Sequence, residues 1–118
     1  MVRTGSFKRI VIKIGTHVIT NENGFLDTHR LDELTRQIAS VRKSGIDVIL
    51  ISSGAVASGR ELFTPQGKTD PVSLRQLWAS IGQVKLIQHY SGLFEKYDTL
   101  CSQVLVTRED FRSRAHYQ

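Results

Sequence analysis

Residues 50–60 read LISSGAVASGR, and this stretch decides the fold. In it, an apolar run stops at three small residues, Ser52-Ser53-Gly54, and a segment compatible with a helix follows. A buried strand that ends in a small, glycine-bearing turn leaves backbone N–H groups free to hold an anion. The pattern therefore predicts an anion-binding loop at the carboxyl end of a strand.

A second strand end repeats this pattern near the start of the chain. Residues 10–16 read IVIKIGT, an apolar strand that finishes at Gly15 and Thr16. The strand is apolar at successive positions, which is typical of a parallel sheet covered by helices on both faces. We therefore expect the two strand ends to lie side by side and to form a site for an anionic substrate.

The rest of the chain predicts an α/β domain with the order β-α-β-α-α-β-α. An apolar stripe at spacings of three and four predicts a helix after Asp27 or Thr28 that ends at Ser44-Gly45. Asp70-Pro71 is typical of a helix start. The predicted elements are strands at residues 8–14, 46–51 and 99–106, the helix that ends at Ser44-Gly45, a short helix at about 55–62, and a long helix after Asp70 that ends near Tyr97 and could break at Gly92. Residues 107–110 resemble a capping box that opens a last helix.

Composition limits the classes of protein to consider. The 118 residues suit one domain, and 40% hydrophobic residues can form a modest core. The single cysteine, Cys101, excludes an internal disulfide and is expected to be a buried, reduced thiol. No apolar run approaches the ~18–20 residues of a membrane span, so we expect a cytoplasmic protein without membrane association. The net charge of +5 is dispersed, which argues against a nucleic-acid partner.

Several side chains near the strand ends could carry chemistry. Lys13 interrupts an apolar strand, and its ammonium could meet a phosphate, although an edge-strand lysine that reaches solvent would give the same pattern. Ser53 could donate to a carboxylate beside the N–H groups of Gly54 and Ala55, or could simply cap a helix. The histidines show no metal-ligand spacing, and only His17 lies near the predicted site.

Four blocks of sequence, taken in order, closely resemble the glutamate 5-kinase group of the amino acid kinase family. They read VIKIGT, SSGAVASGR, ASIGQ and QVLVTRED, at residues 11–16, 52–60, 79–83 and 103–110. The resemblance implies a three-layer αβα sandwich with a mainly parallel sheet, of which residues 1–118 would be the N-terminal portion. It also implies ATP-dependent phosphorylation of the γ-carboxylate of L-glutamate, the first step of proline biosynthesis, in the cytoplasm.

The same resemblance implies roles for particular residues. Lys13 would contact the transferring phosphoryl group, and Gly15 and Thr16 would lie by the phosphates of ATP, with Mg²⁺ assisting. Ser53, Gly54 and Ala55 would bind L-glutamate. The complete enzyme would be a homo-oligomer, and further substrate and nucleotide contacts would come from family segments that this chain does not match.

Other readings of the sequence stay open. One is another carboxylate kinase of the same fold, which a comparison of glutamate with N-acetylglutamate would separate. A second is a non-catalytic fragment that binds glutamate or an oligomer partner. A third is a basic nucleic-acid binder, which would show steeply salt-dependent binding.

Overall fold

The computed structural model describes residues 8–106 and 108–112. Its elements follow the predicted order closely over the first 96 residues. They are β1 at Arg9–Ile14, a 3₁₀ turn at Thr16–Val18, α1 at Thr28–Lys43, β2 at Asp47–Ser52, α2 at Ala55–Leu62, α3 at Pro71–Lys96 and α4 at Arg108–Arg112.

The two strands form a parallel pair in which the register runs from Arg9 opposite Asp47 to Ile14 opposite Ser52. The connection between them is α1, which begins where the Asp27 carboxylate accepts from the N–H groups of His29 and Arg30. It ends at Lys43, Ser44 caps it, and Gly45 follows with a φ of +93°. The parallel β-α-β unit expected from the sequence is therefore confirmed, and it brings both strand ends to one edge.

One face of the sheet carries the core. Ile14 joins Leu31 and Ile38 of α1 and Leu86 and Phe94 of α3 in a single buried cluster. Residues two apart in a strand point to the same face, so the alternate positions of β1 and β2 pack against this cluster.

Among the described residues the opposite face of the sheet is open, as in an incomplete three-layer αβα fold. Val11, Ile49 and Ile51 are 61%, 45% and 52% exposed. Lys13 lies opposite Ile51 on this face and is exposed as well. Both faces of the strands are therefore apolar, and no described helix covers the second face.

The third strand predicted at residues 99–106 is wrong for this structure. The segment forms no strand, and Leu100 and Val104 are 101% and 81% exposed. A strand needs a hydrogen-bonded neighbour, and none of the described residues pairs with this segment. For the same reason Cys101 is exposed rather than buried, although partial desolvation raises the pKa of its thiol.

The remaining helices agree with the sequence prediction. The Asp70 carboxylate accepts from the N–H of Ser73 at 3.0 Å, and Pro71 opens α3. The helix continues through Gly92, where the sequence had indicated a possible break. Thr107, the first residue of the predicted capping box, lies outside the described residues, and α4 follows it. None of the helices within residues 8–106 and 108–112 combines the length and apolarity that crossing a bilayer requires.

Candidate functional site

The ends of β1 and β2 lie side by side, as the sequence predicted. The Ser53 N–H donates to the Ile14 carbonyl at 2.9 Å, one residue beyond the last paired position of the sheet. This bond holds the turn after β2 against the end of β1. Thr16 therefore lies close to Ser53 and Gly54, and all three line one cleft.

The turn into α2 depends on a glycine. Gly54 is the residue before the first turn of α2 and has a φ of +118°, a conformation that residues with a side chain rarely adopt. A β-carbon at this position would also lie 2.8 Å from Cδ1 of Ile19. Gly54 itself forms the cap without a side-chain hydrogen bond, so the interpretation of Ser53 as the helix cap is wrong.

A cleft of about 500 Å³ opens in front of this turn, and we call it the β2–α2 cleft. Its floor is the turn and the start of α2, whose first N–H groups have no partner within the helix. Its walls are the loop after β1 and the start of α3. The lining residues are Thr16, His17, Thr20, Asn21, Glu22, Gly24, Ser52, Ser53, Gly54, Ala55, Val56, Ala57, Arg60 and Arg75.

The loop wall is fastened to the helices by Glu61. One carboxylate oxygen of Glu61 accepts from the N–H of Leu26 at 2.6 Å, and the other pairs with Nζ of Lys85 at 3.0 Å. Leu26 is buried, and the Glu61 and Lys85 side chains are only 22% and 26% exposed. Glu61 thus connects the loop, α2 and α3.

Ser52 and Ser53 differ in their contacts although they are neighbours. The Ser52 hydroxyl donates to the Ser53 carbonyl at 2.8 Å and lies 2.6 Å from the Tyr90 hydroxyl. A hydroxyl has one hydrogen to donate, so Tyr90 is the donor to Ser52. Burial raises the pKa of Tyr90, which keeps this donor protonated. Ser52 therefore ties the end of β2 to α3, whereas Ser53 is exposed at the cleft.

Two arginines make the cleft cationic. Arg60 of α2 and Arg75 of α3 both line it, while Glu22 is the single carboxylate in the lining. Neither arginine pairs with a carboxylate among the described residues. Hydroxyl groups, helix N–H groups and two unpaired guanidinium groups together suit an anionic ligand.

Lys13 and Gly15 do not line the cleft. Lys13 projects from the open face of the sheet and is exposed, which is the alternative that the sequence left open, and its contact with a phosphoryl group stays a prediction. Gly15 is exposed in extended backbone, and a β-carbon there would meet no described atom within 4 Å. The structure thus brings together Thr16, Ser53, Gly54 and Ala55 of the predicted site, and it leaves the other two on the adjoining surface.

Sequence reasoning missed the two arginines. Arg60 stands four residues after Val56, a spacing that places both on one face of a helix, and this signal was available. Arg75 carried no such signal, because it reaches the cleft only through the packing of α3 against α2.

The described residues contain no group of three carboxylate, histidine or cysteine side chains that could hold a metal ion. Among the residues that line the cleft, His17 and Glu22 are the side chains of these types.

Residues 8–118 match the model of the amino acid kinase family. The chain is 49% identical over 94% of its length to the glutamate 5-kinase of Bacteroides thetaiotaomicron, of which it covers 31%. It is 48% identical to the glutamate 5-kinase of Chlorobaculum tepidum and 39% identical to that of Dictyoglomus thermophilum, with 94% of this chain aligned and 31% and 30% of those proteins covered.

The chain thus spans about a third of the length of the curated relatives it matches. The match to the family model includes both strand ends, the turn at Gly54 and all of α2 and α3. The α/β order and the parallel pairing of β1 with β2 agree with that match, and the chain belongs to the amino acid kinase family.

Proposed function

We propose that this chain forms part of a glutamate 5-kinase, which transfers the terminal phosphoryl group of ATP to the γ-carboxylate of L-glutamate. The observation that carries the proposal is the meeting of Thr16, Ser53, Gly54 and Ala55 in one cationic cleft at the strand ends. The relatives named glutamate 5-kinase, at up to 49% identity, support the choice of substrate.

In the proposed reaction a γ-carboxylate oxygen attacks the terminal phosphorus of ATP, and the bond from that phosphorus to ADP breaks. The products are ADP and an acyl phosphate, the activated carboxylate of proline biosynthesis. No covalent bond to the protein is needed, so the protein contributes positioning and charge stabilisation.

Each candidate residue has a place in this scheme. The Ser53 hydroxyl and the N–H groups of Gly54 and Ala55 bind glutamate, because charge-assisted hydrogen bonds to a carboxylate are strong. Lys13 meets the transferring phosphoryl group, and Gly15 and Thr16 lie by the phosphates of ATP. Lys13 is on the open sheet face, so its role requires the nucleotide to approach the strand end from that side.

Mg²⁺ commonly binds to one or two carboxylates together with nucleotide phosphates. The described residues contain no cluster of three possible metal ligands, and we expect Mg²⁺ to enter with ATP. We further propose that the enzyme is homo-oligomeric and works in the cytoplasm.

The test uses the natural polypeptide that carries this sequence. With ATP and Mg²⁺, we expect ADP to form only when L-glutamate is present, and hydroxylamine to trap the acyl phosphate as a hydroxamate. N-acetylglutamate serves as the competing substrate. Faster hydroxamate formation from N-acetylglutamate would assign the chain to another carboxylate kinase, and glutamate-independent ADP release would reject the proposal.

A further inference from the structure

Arg60 lies beside groups from two other parts of the fold. Its guanidinium carbon lies 5.7 Å from the centre of the Trp78 ring, within the range of a cation–π contact. A β-carbon at Gly24 would lie 3.2 Å from one guanidinium nitrogen, so the loop after β1 also approaches this side chain.

Arg60 lies one helical turn after Val56, so both residues are on the same face of α2. Both residues line the β2–α2 cleft and also a neighbouring cleft of about 420 Å³, which is bordered by Trp78 and Arg75. Arg60 thus stands where the two clefts meet.

The cleft consequently has two separate places for an anion. One is the turn at Ser53 and the first N–H groups of α2. The other is Arg60, whose backbone lies roughly 7–8 Å farther along the helix than that of Ala55, by the rise of 1.5 Å per residue. A short dicarboxylate could occupy both places at once, with one carboxylate at each.

We propose that Arg60 binds the α-carboxylate of the amino-acid substrate, while the turn at Ser53 binds the carboxylate that is phosphorylated. The inference rests on the proposed function and adds the residue that recognises the non-reacting end of glutamate. Arginine suits this task because its planar guanidinium can bond both oxygens of one carboxylate. The contact with Trp78 limits the rotamers that Arg60 would lose on binding.

The experiment measures ligand dissociation constants by calorimetry on the natural polypeptide that carries this sequence. The probes are L-glutamate, L-isoglutamine, whose α-carboxylate is an amide, and ATP. The variants are Arg60→Met, which keeps the apolar stem, and Arg60→Lys, which keeps the charge without the planar fork. Arg36→Met on the exposed face of α1 is the control.

We expect Arg60→Met to weaken glutamate binding about ten- to hundred-fold, since hydrogen bonds between charged groups are the strong ones. The affinity for isoglutamine should change less than twofold, Arg60→Lys should be intermediate, and Arg36→Met should match the unsubstituted protein. Thermal melting of each variant checks that it is folded. If Arg60→Met has a lowered melting temperature, Arg60→Lys still tests the role of the planar guanidinium.

The outcomes separate this inference from the proposed function. If the unsubstituted protein binds no glutamate, both are overturned. Suppose that it binds glutamate, and that Arg60→Met changes neither the affinity for glutamate nor the ratio of the affinities for glutamate and isoglutamine. Only the role of Arg60 is then overturned. Weaker binding of ATP with glutamate unchanged would likewise overturn it, by assigning Arg60 to a phosphate.

Discussion

A β-carbon on Gly82 would occupy the space taken by the carbonyl oxygen of Ala55, the first residue of α2. The backbones of α2 and α3 are therefore in direct contact at this point. Gly59 makes a similar approach, with its α-carbon against the backbone carbonyl of Trp78. These two glycines place the start of α2, and with it the floor of the β2–α2 cleft, at a fixed position on α3.

Gly82→Ala should destabilise the protein although alanine is the better helix former by ~1 kcal/mol. The added methyl group forces α2 and α3 apart, and overpacking of this kind costs about 1–3 kcal/mol. Gly92→Ala in the same helix is the matched control, because its β-carbon meets no described atom within 4 Å. It should stabilise the protein by roughly 0.5–1 kcal/mol. Urea unfolding of both variants measures the two changes in the free energy of unfolding. If Gly82→Ala stabilises the protein as Gly92→Ala does, the contact at Gly82 is unimportant.

Glu61→Ala should lower the free energy of unfolding by about 1–3 kcal/mol, because it leaves the N–H of buried Leu26 without an acceptor. Glu33→Ala is the control. Glu33 pairs with Arg36 on the exposed surface of α1, where both side chains are more than half exposed, and its loss should change stability by less than about 0.5 kcal/mol. Denaturant midpoints of both variants give the measurement. Similar losses of stability for the two variants would contradict the role of Glu61 in fastening the loop to the helices.

Much of the fold could be predicted from the sequence because local signals and tertiary packing agree. Asp27 and Asp70 cap helices whose apolar stripes face the core, and the small residues at positions 52–54 mark a real strand end. The state of residues 99–106 could not be predicted in this way. Their apolar and β-branched residues favour a strand, but a strand also needs a hydrogen-bonded neighbour, which the local sequence does not reveal.

The candidate site was predictable to a similar extent. Residues that follow a strand end, such as Thr16 and Ser53, could be placed because parallel strands finish at the same edge of a sheet. The orientation of Lys13 could not, since an apolar strand reads alike whether one or both faces are covered. Arg75 reaches the cleft from 15 residues beyond Arg60, through packing alone.

Residues 1–118 expressed alone should show no glutamate kinase activity. The reason is coverage, since the chain spans about a third of the relatives that carry the enzyme's name. The measurement is glutamate-dependent ADP release from a pure sample whose mass has been verified. Steady turnover by that sample would contradict the expectation and would place the complete reaction within these residues.

Ser53→Ala in the natural polypeptide should weaken glutamate binding more than ATP binding. A hydrogen bond to a charged group contributes ~1.5–3 kcal/mol, so the KM for glutamate should rise about ten- to hundred-fold. Ser40→Ala, on the exposed side of α1, should leave both KM values unchanged. Since Gly54 caps α2 without any side-chain hydrogen bond, Ser53→Ala should also preserve thermal stability. An unchanged KM for glutamate would remove Ser53 from the substrate site.

Lys13→Met in the natural polypeptide should reduce kcat about 10²–10³-fold while the protein stays folded. Loss of one preorganised charge at a transition state commonly has an effect of this size. Lys13 is exposed in the described structure, so methionine removes the charge with a stability change of less than about 0.5 kcal/mol. Lys43→Met, at the exposed end of α1, is the matched control and should leave kcat unchanged. Thermal melting and kcat should be measured on the same samples. If kcat falls less than about threefold, or falls only in step with stability, Lys13 is a surface residue of the open sheet face and takes no part in phosphoryl transfer.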